Sequence, residues 1–274
     1  MSEVGTDADL LERIEEHFDA APRAAADVEQ HGALTLFVSR IPWRFYARPR
    51  LGLGEDVGAD DVAAVRARQR ELGVREAFEW VHETTPSLAG AAEAAGLEVL
   101  RVPLLALVAA DWTQPPDPVG VRLRMLGADD PGLPAAQAVV ELAFATGPES
   151  ELGPEARDLA LGKLGDLDFL RERIGDGLTA MAVAESDAEG ALAAGSHQIA
   201  AGVAEVMGVG TLPSARRRGL GGAVTGRLVQ DAREHGAAIV FLSAAGEEVA
   251  RMYERLGFRR VGTACFASTA DASR

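Results

Sequence analysis

Residues Val203–Gly222, VAEVMGVGTLPSARRRGLGG, pass from a β-branched, extended run ending at Thr211-Leu212-Pro213, through three arginines, to Gly219-Leu220-Gly221-Gly222. A segment with helical spacing follows. Leu220, Val224 and Leu228 recur every four residues with Ala223 and Ala232 beside them, and His235-Gly236 closes the helix. Strand, glycine turn and helix, in that order, have a chemical use. Glycine lets the backbone turn tightly and lets an anion approach the main chain. The first amides of a helix have no partner within it, and the helix dipole adds about half a positive charge at that end. A phosphate or pyrophosphate suits that place, with Arg216, Arg217 and Arg218 adding charge on the approach. The P-loop requires Gly-Lys-Ser/Thr and the dinucleotide fingerprint Gly-x-Gly-x-x-Gly. The chain has neither here, but Arg216-x-x-Gly219-x-Gly221.

That local basicity runs against the whole. The chain of 274 residues carries a net charge of −15, which argues against general binding to nucleic acid or to an anionic membrane and suits a cationic amine. With 47% hydrophobic and 25% charged residues, a packed core is expected, in one large domain or two ordinary ones. Cys265 is the single cysteine, so no intrachain disulfide forms. It sits in a late strand pattern and reads as a small core residue. The opening MSEVGTDADLLERIEEH is acidic where a secretory leader would be apolar, and no apolar run approaches the ~20 residues of a membrane span. A cytoplasmic location is expected, and no metal.

Along the chain, residues 8–30 carry helical spacing and residues 33–39 read as a strand. Pro42-Trp43-Arg44-Phe45-Tyr46, then Pro49, could line a pocket, but an edge strand packing its aromatics on its own domain is the stronger reading. A helix from Asp60-Asp61 to Leu72, strand 77–82, a helix from Pro86 to Ala95 and strand 97–109 follow. Residues 111–119, DWTQPPDPV, read as a linker between a domain at 1–110 and one at 120–274. The second half shows strand 121–125, helices 130–144 and 155–165, strands 178–185 and 191–199, then the opening unit. Strand 238–243, helix 247–256 and strand 258–266 end the pattern. Residues 78–107 and 240–266 share the order strand, helix, Gly, strand. Superposing Gly96 on Gly257 sets Ala92 opposite Tyr253. The match is either a degenerate repeat or a chance recurrence common in mixed folds.

Arg216-x-x-Gly219-x-Gly221 after a strand ending at Leu212-Pro213, joined to Tyr253-Glu254-Arg255-Leu256-Gly257-Phe258 in the expected order, resembles the GCN5-related N-acetyltransferases (GNATs). The resemblance covers roughly residues 121–266 and is specific from Val203 onward. It implies an α/β fold with a mixed sheet, GNAT-like in the C-terminal half, beside a degenerate, truncated GNAT-like N-terminal half without an active site of its own. It implies acetyl-CoA as the acyl donor. Pyrophosphate would meet the amides of Arg217, Arg218, Gly219, Leu220, Gly221 and Gly222, with Arg216 adding charge to this cofactor loop, and the pantetheine arm would run beside Val209, Gly210 and Thr211. Gly208 and Gly210 would ease the strand bulge that relatives have there. Many relatives carry Asn seven residues before the tyrosine, where this chain has Gly246.

Acetyl transfer to an amine needs a proton for the leaving thiolate and a base for the amine. The resemblance puts Tyr253 near the thioester sulfur. Its ordinary pKa of about 10 lies close enough to a thiol's roughly 8.5 for a general acid. Glu205 lies where relatives often carry a carboxylate acting through water. In the apolar run VAEVM it either points into a cleft as the base or lies on a solvated edge. His197 is a weaker candidate. The expected function is N-acetyl transfer from acetyl-CoA to a small-molecule amine, the alternative a non-catalytic acyl-CoA-binding sensor. The N-terminal half would shape the acceptor cleft or make a homodimer contact.

Overall fold

The computed structural model describes residues 6–43, 45–108, 112, 114, 116–147 and 149–269. Arg44, Pro148, and Asp111, Thr113 and Pro115 of the expected linker lie outside the described residues. The chain opens with α1 (Asp7–Arg23), β1 (Ala26–His31), β2 (Leu34–Ser39), β3 (Arg48–Pro49), α2 (Ala59–Glu71), β4 (Ala77–Val81), α3 (Ser87–Ala94) and β5 (Glu98–Val108). It continues with β6 (Arg122–Leu126), α4 (Leu133–Ala145), α5 (Pro154–Leu161), α6 (Asp168–Gly175), β7 (Ala180–Ser186), β8 (Gly190–Ala200) and β9 (Val203–Thr211). Then come α7 (Leu220–Glu234), β10 (Ile239–Ser243), α8 (Glu247–Glu254) and β11 (Arg259–Ser268). Two compact units result: Met1–Ala106 with Ser243–Arg251 and Arg259–Arg274, and Leu107–Leu242 with Met252–Phe258.

In the first unit, β1, β2 and β3 form an antiparallel sheet, and β11 pairs antiparallel with both β4 and β5. Cys265 and Ala267 of β11 join Leu34, Phe78, Trp80, Leu88 and Ala92 in one apolar core. Cys265 is fully buried, and burial pushes its thiol up to about 11, so it serves as a small apolar residue. The helix expected over residues 8–30 stops at Arg23, because Pro22 occupies its last turn and residues 26–31 take ladder bonds to β2 instead.

The ends of α3 and α8 share one backbone geometry. Gly96 after α3 and Gly257 after α8 both take left-handed conformations, φ 81° and 96°. Beyond them the amides of Leu97 and Phe258 reach back to the carbonyls of Ala92 and Tyr253, at 3.0 and 3.2 Å. Gly73 after α2 and Gly236 after α7 end their helices in the same way, the amides of Val74 and Ala237 reaching the carbonyls of Gln69 and Ala232 at 3.0 and 2.9 Å, so this is a general helix stop and not a mark of a repeat.

The second unit is a mixed sheet. β10 runs parallel to β9, and β9, β8, β7 and β6 follow antiparallel. A second helix, α6, follows α5 where one helix was expected. Gly162 and Gly165 interrupt the run, and the Asp166 carboxylate accepts from the Asp168 amide at 2.8 Å to start again. β9 pairs with β10 only from Val203 to Glu205. Farther along, Gly208 and Val209 stand opposite the single residue Gly195 of β8, a bulge made possible by φ 61° at Gly208.

Helices press on both faces at that bulge. A Cβ on Gly210 would lie 2.7 Å from Cβ of Ala143 in α4, and one on Gly195 would lie 3.3 Å from Leu228 of α7. Gly210→Ala is therefore expected to cost about 1–3 kcal/mol of unfolding free energy in urea. Gly54→Ala, where a Cβ meets nothing within 4 Å, is expected to cost no more than ~0.5 kcal/mol. Equal losses at both positions would contradict the close packing at the bulge.

Candidate functional site

After β9 the chain makes a single 3-10 turn, Pro213–Ala215, and enters α7 through Arg216–Gly219. Arg217 holds φ 61° and Gly219 φ 78°. Positive φ is ordinary for glycine and uncommon for arginine, and such backbone strain gathers at ligand-binding turns. No side chain caps α7, and its first turn holds no acidic residue. The amides of Leu220, Gly221 and Gly222 have no carbonyl four residues back within the helix to bond. A Cβ on Gly221 would stand 3.5 Å from Oγ1 of Thr211 and 3.9 Å from Val209, so the loop lies directly beside the end of β9.

The start of α2 in the first unit differs in having acidic residues in its first turn. At α2 the Asp61 carboxylate accepts from the amides of Gly58 at 2.9 Å and Ala33 at 3.2 Å, with Asp60 beside it. That end already holds an anion of its own. The α7 end does not.

The three arginines take separate tasks. Arg216 donates to the carbonyls of Gly147 at 3.0 Å and Ala143 at 3.5 Å, closing the end of α4. Arg218 pairs with Glu189 at 3.2 Å. Arg217 is exposed, and among the described residues it forms no ion pair. Of the three guanidinium groups, Arg217 is the one most open to an anion at the α7 amides.

Tyr253, near the end of α8, is 6% exposed. Its ring meets Phe258 edge-on at 5.9 Å between centroids. Burial pushes its phenol up to about 12, opposed by a hydrogen bond with Thr225 of α7. Thr225, fully buried, donates in turn to the carbonyl of Gly221 at 2.9 Å. A Cβ on Gly222 would lie 3.6 Å from Leu256 and 3.9 Å from Met252. Tyr253 and the glycine loop, 31 to 34 residues apart in sequence, thus share one local structure around the first turn of α7. The shift to about 12 corrects the ordinary value expected from sequence, because a hydroxyl this deep loses its solvation when ionised. Thr225 escaped the sequence reading. Its one signal is position, four residues after Gly221, from where a threonine can bond the preceding turn's carbonyl.

Glu205 faces Phe241 at the last pair that β9 makes with β10. It is half-buried and accepts from Gln198 at 3.4 Å, while Gln198 accepts from Arg173 at 3.2 Å. It is therefore neither on a fully solvated edge nor sealed in the core. His197 is a structural residue: 3% exposed, it bonds Asp231 of α7 at 2.7 Å. Burial would raise the Asp231 carboxyl, but hydrogen bonding and charge from His197, with His235 and Arg227, hold it below the usual range. Among the described residues no cluster of three His, Cys, Asp or Glu is arranged to hold a metal ion, and no helix is long and apolar enough to cross a membrane.

Residues 161–267 match the family model described as FR47-like protein. Among solved structures, the fold resembles a GCN5-related N-acetyltransferase from Kribbella flavida at 24% identity, TM-score 0.74, over 95% of this chain and 96% of that one. A GCN5-related N-acetyltransferase from Sphaerobacter thermophilus matches at 18% identity and TM-score 0.54, over 96% and 93%. A tandem GNAT protein from the clavulanic acid biosynthesis pathway matches at 18% identity and TM-score 0.54, over 86% and 78%. No curated protein matches the sequence.

The raised phenol makes a prediction whose sign follows directly. A folded-state value near 12, above the unfolded ~10, stabilises the protein fully below pH 10. That stability is lost as pH rises from 10 to 12. Unfolding free energies of wild type and Tyr253→Phe, measured from pH 9 to 12, are expected to diverge by about 2–3 kcal/mol, wild type losing more. Parallel curves would show that Tyr253 ionises freely in the native state.

Proposed function

We propose that this chain, whose fold is that of the GCN5-related N-acetyltransferases, transfers an acetyl group from acetyl-CoA directly to an amine of a small molecule. The observation that carries this is the start of α7: uncapped amides, left-handed Arg217 and Gly219, and exposed Arg217, beside a strand bulged at Gly208–Val209. A diphosphate fits this donor set in charge, and the first turn of α7 holds no acidic residue. Acetyl-CoA, when bound, supplies the activated thioester.

The chain's own groups then divide the work. Amides of Arg217–Gly222, with Arg217, hold the diphosphate. The β9 backbone at Val209, Gly210 and Thr211, unpaired with β10 there, is free to take the pantetheine arm. A backbone amide near Val209 polarises the carbonyl. Tyr253, protonated at neutral pH, donates a hydrogen bond to the departing sulfur. Complete transfer from a group near 12 to a thiolate near 8.5 would be uphill by about 5 kcal/mol, so its part is charge stabilisation. Glu205 takes the amine proton through water. A protein of net charge −15 suits a cationic amine acceptor and, with its one buried thiol, a cytoplasmic setting.

One observation favours a second reading. Burial of Tyr253 is also what a packing tyrosine would show, as in an acyl-CoA sensor without turnover. Free thiol followed during incubation with acetyl-CoA and a panel of amines separates the two. Release with at least one amine supports the enzyme, binding without release for any amine supports the sensor, and no binding overturns both. In the enzyme, Tyr253→Phe is expected to lower kcat about 100-fold with little change in acetyl-CoA affinity. Arg217→Ala is expected to weaken acetyl-CoA binding about tenfold and to reduce its salt dependence.

A further inference from the structure

Arg173 and Gln198 have no part in the division of work above, yet both lie in line with Glu205. β8 and β9 pair so that Gln198 and Glu205 stand directly opposite each other. Residues opposed in an antiparallel pair point to one face of the sheet, within reach of each other's side chains. Gln198 donates to the Glu205 carboxylate at 3.4 Å. On its other side it accepts from the Arg173 guanidinium at 3.2 Å.

Arg173 is itself firmly held. It lies in the last turn of α6 and is 8% exposed. Its Nε donates to the Thr179 hydroxyl at 3.0 Å and its Nη2 to the Leu178 carbonyl at 3.3 Å. The amides of Leu178 and Thr179 return to the Arg173 carbonyl at 2.9 and 3.1 Å. The turn between α6 and β7 thus grips both the backbone and the side chain of this one residue.

A guanidinium has only donors and an ionised carboxylate only acceptors. Between the two, the Gln198 amide has one stable orientation, its oxygen towards Arg173 and its NH2 towards Glu205. The reverse would set N–H against N–H and oxygen against oxygen. A glutamate carboxyl on its own turns among several rotamers, and a donor fixed on one side of it removes that freedom. The bond weighs more where the carboxylate is half-buried, as Glu205 is, than it would in open water.

We propose that Arg173 and Gln198 are positioning residues for Glu205. Arg173 fixes the Gln198 amide, and Gln198 holds the carboxylate in the orientation from which it takes the amine proton. The inference rests on the acyl-transfer reading, in which Glu205 is the base.

Thiol release measured at saturating acetyl-CoA with a panel of amines tests it. Gln198→Glu is the decisive variant, because it keeps an acceptor for Arg173 and removes the donor to Glu205. It and Gln198→Leu are each expected to lower kcat about tenfold with the acetyl-CoA KM unchanged. Glu205→Gln is expected to lower kcat about 100-fold. Arg173→Met is expected to cost less than Gln198→Leu, and the double variant no more than Gln198→Leu alone, since Arg173 acts through Gln198. Circular dichroism checks that each variant is folded. Wild-type kcat in Gln198→Glu, beside a loss in Glu205→Gln, overturns this proposal and leaves the acyl-transfer reading standing. Additive losses in the double variant, or full activity in Glu205→Gln, overturn it too. No thiol release from wild type with any amine overturns the proposal together with the catalytic reading on which it rests.

Discussion

The start of α7 is a helix end with nothing of its own to cap it. The amides of Leu220, Gly221 and Gly222 have no carbonyl four residues back within the helix, the positive end of the dipole lies there, and Arg217 and Gly219 before them hold left-handed turns. Such an end is stable only when exposed to water or occupied by an anion. At α2, Asp61 in the first turn accepts from the amides of Gly58 and Ala33 and sets a carboxylate at the positive end of the dipole, where α7 has none.

The neighbouring elements follow from that end. β9 must part from β10 after Glu205 and bulge at Gly208–Val209 for its backbone to face the same space, and Gly195 and Gly210 leave room for helices on both sides. Thr225 then ties the loop to Tyr253: its hydroxyl donates to Gly221 while it contacts the buried phenol. A change in the first turn of α7 therefore acts on the tyrosine by a short, direct route. The glycine loop and Tyr253 are parts of one construction.

Much of this was legible in the chain. The four-residue apolar spacing from Leu220 sets the bounds of α7, and Gly257 after an amphipathic helix marks the end of α8 and the place of Tyr253. Other features depend on partners remote in sequence. Nothing in residues 259–268 says that β11 will pair with β4 and β5, more than 150 residues earlier. Whether Ala26–His31 continues a helix or pairs with β2 is decided by the strand that follows it. Three adjacent arginines look equivalent until Glu189 and the end of α4 claim two of them. The depth of Tyr253 and the bonding of Glu205 are products of packing, which local pattern does not encode.

The central claim concerns which atoms meet the ligand, so it is best tested at those atoms. Backbone amide resonances of the 274-residue protein, followed by 1H–15N TROSY during titration with acetyl-CoA, report each N–H separately. The account predicts the largest shifts at Arg217–Gly222, saturating together with Val209–Thr211. Saturable shifts confined to other segments, with these amides unmoved, would contradict it.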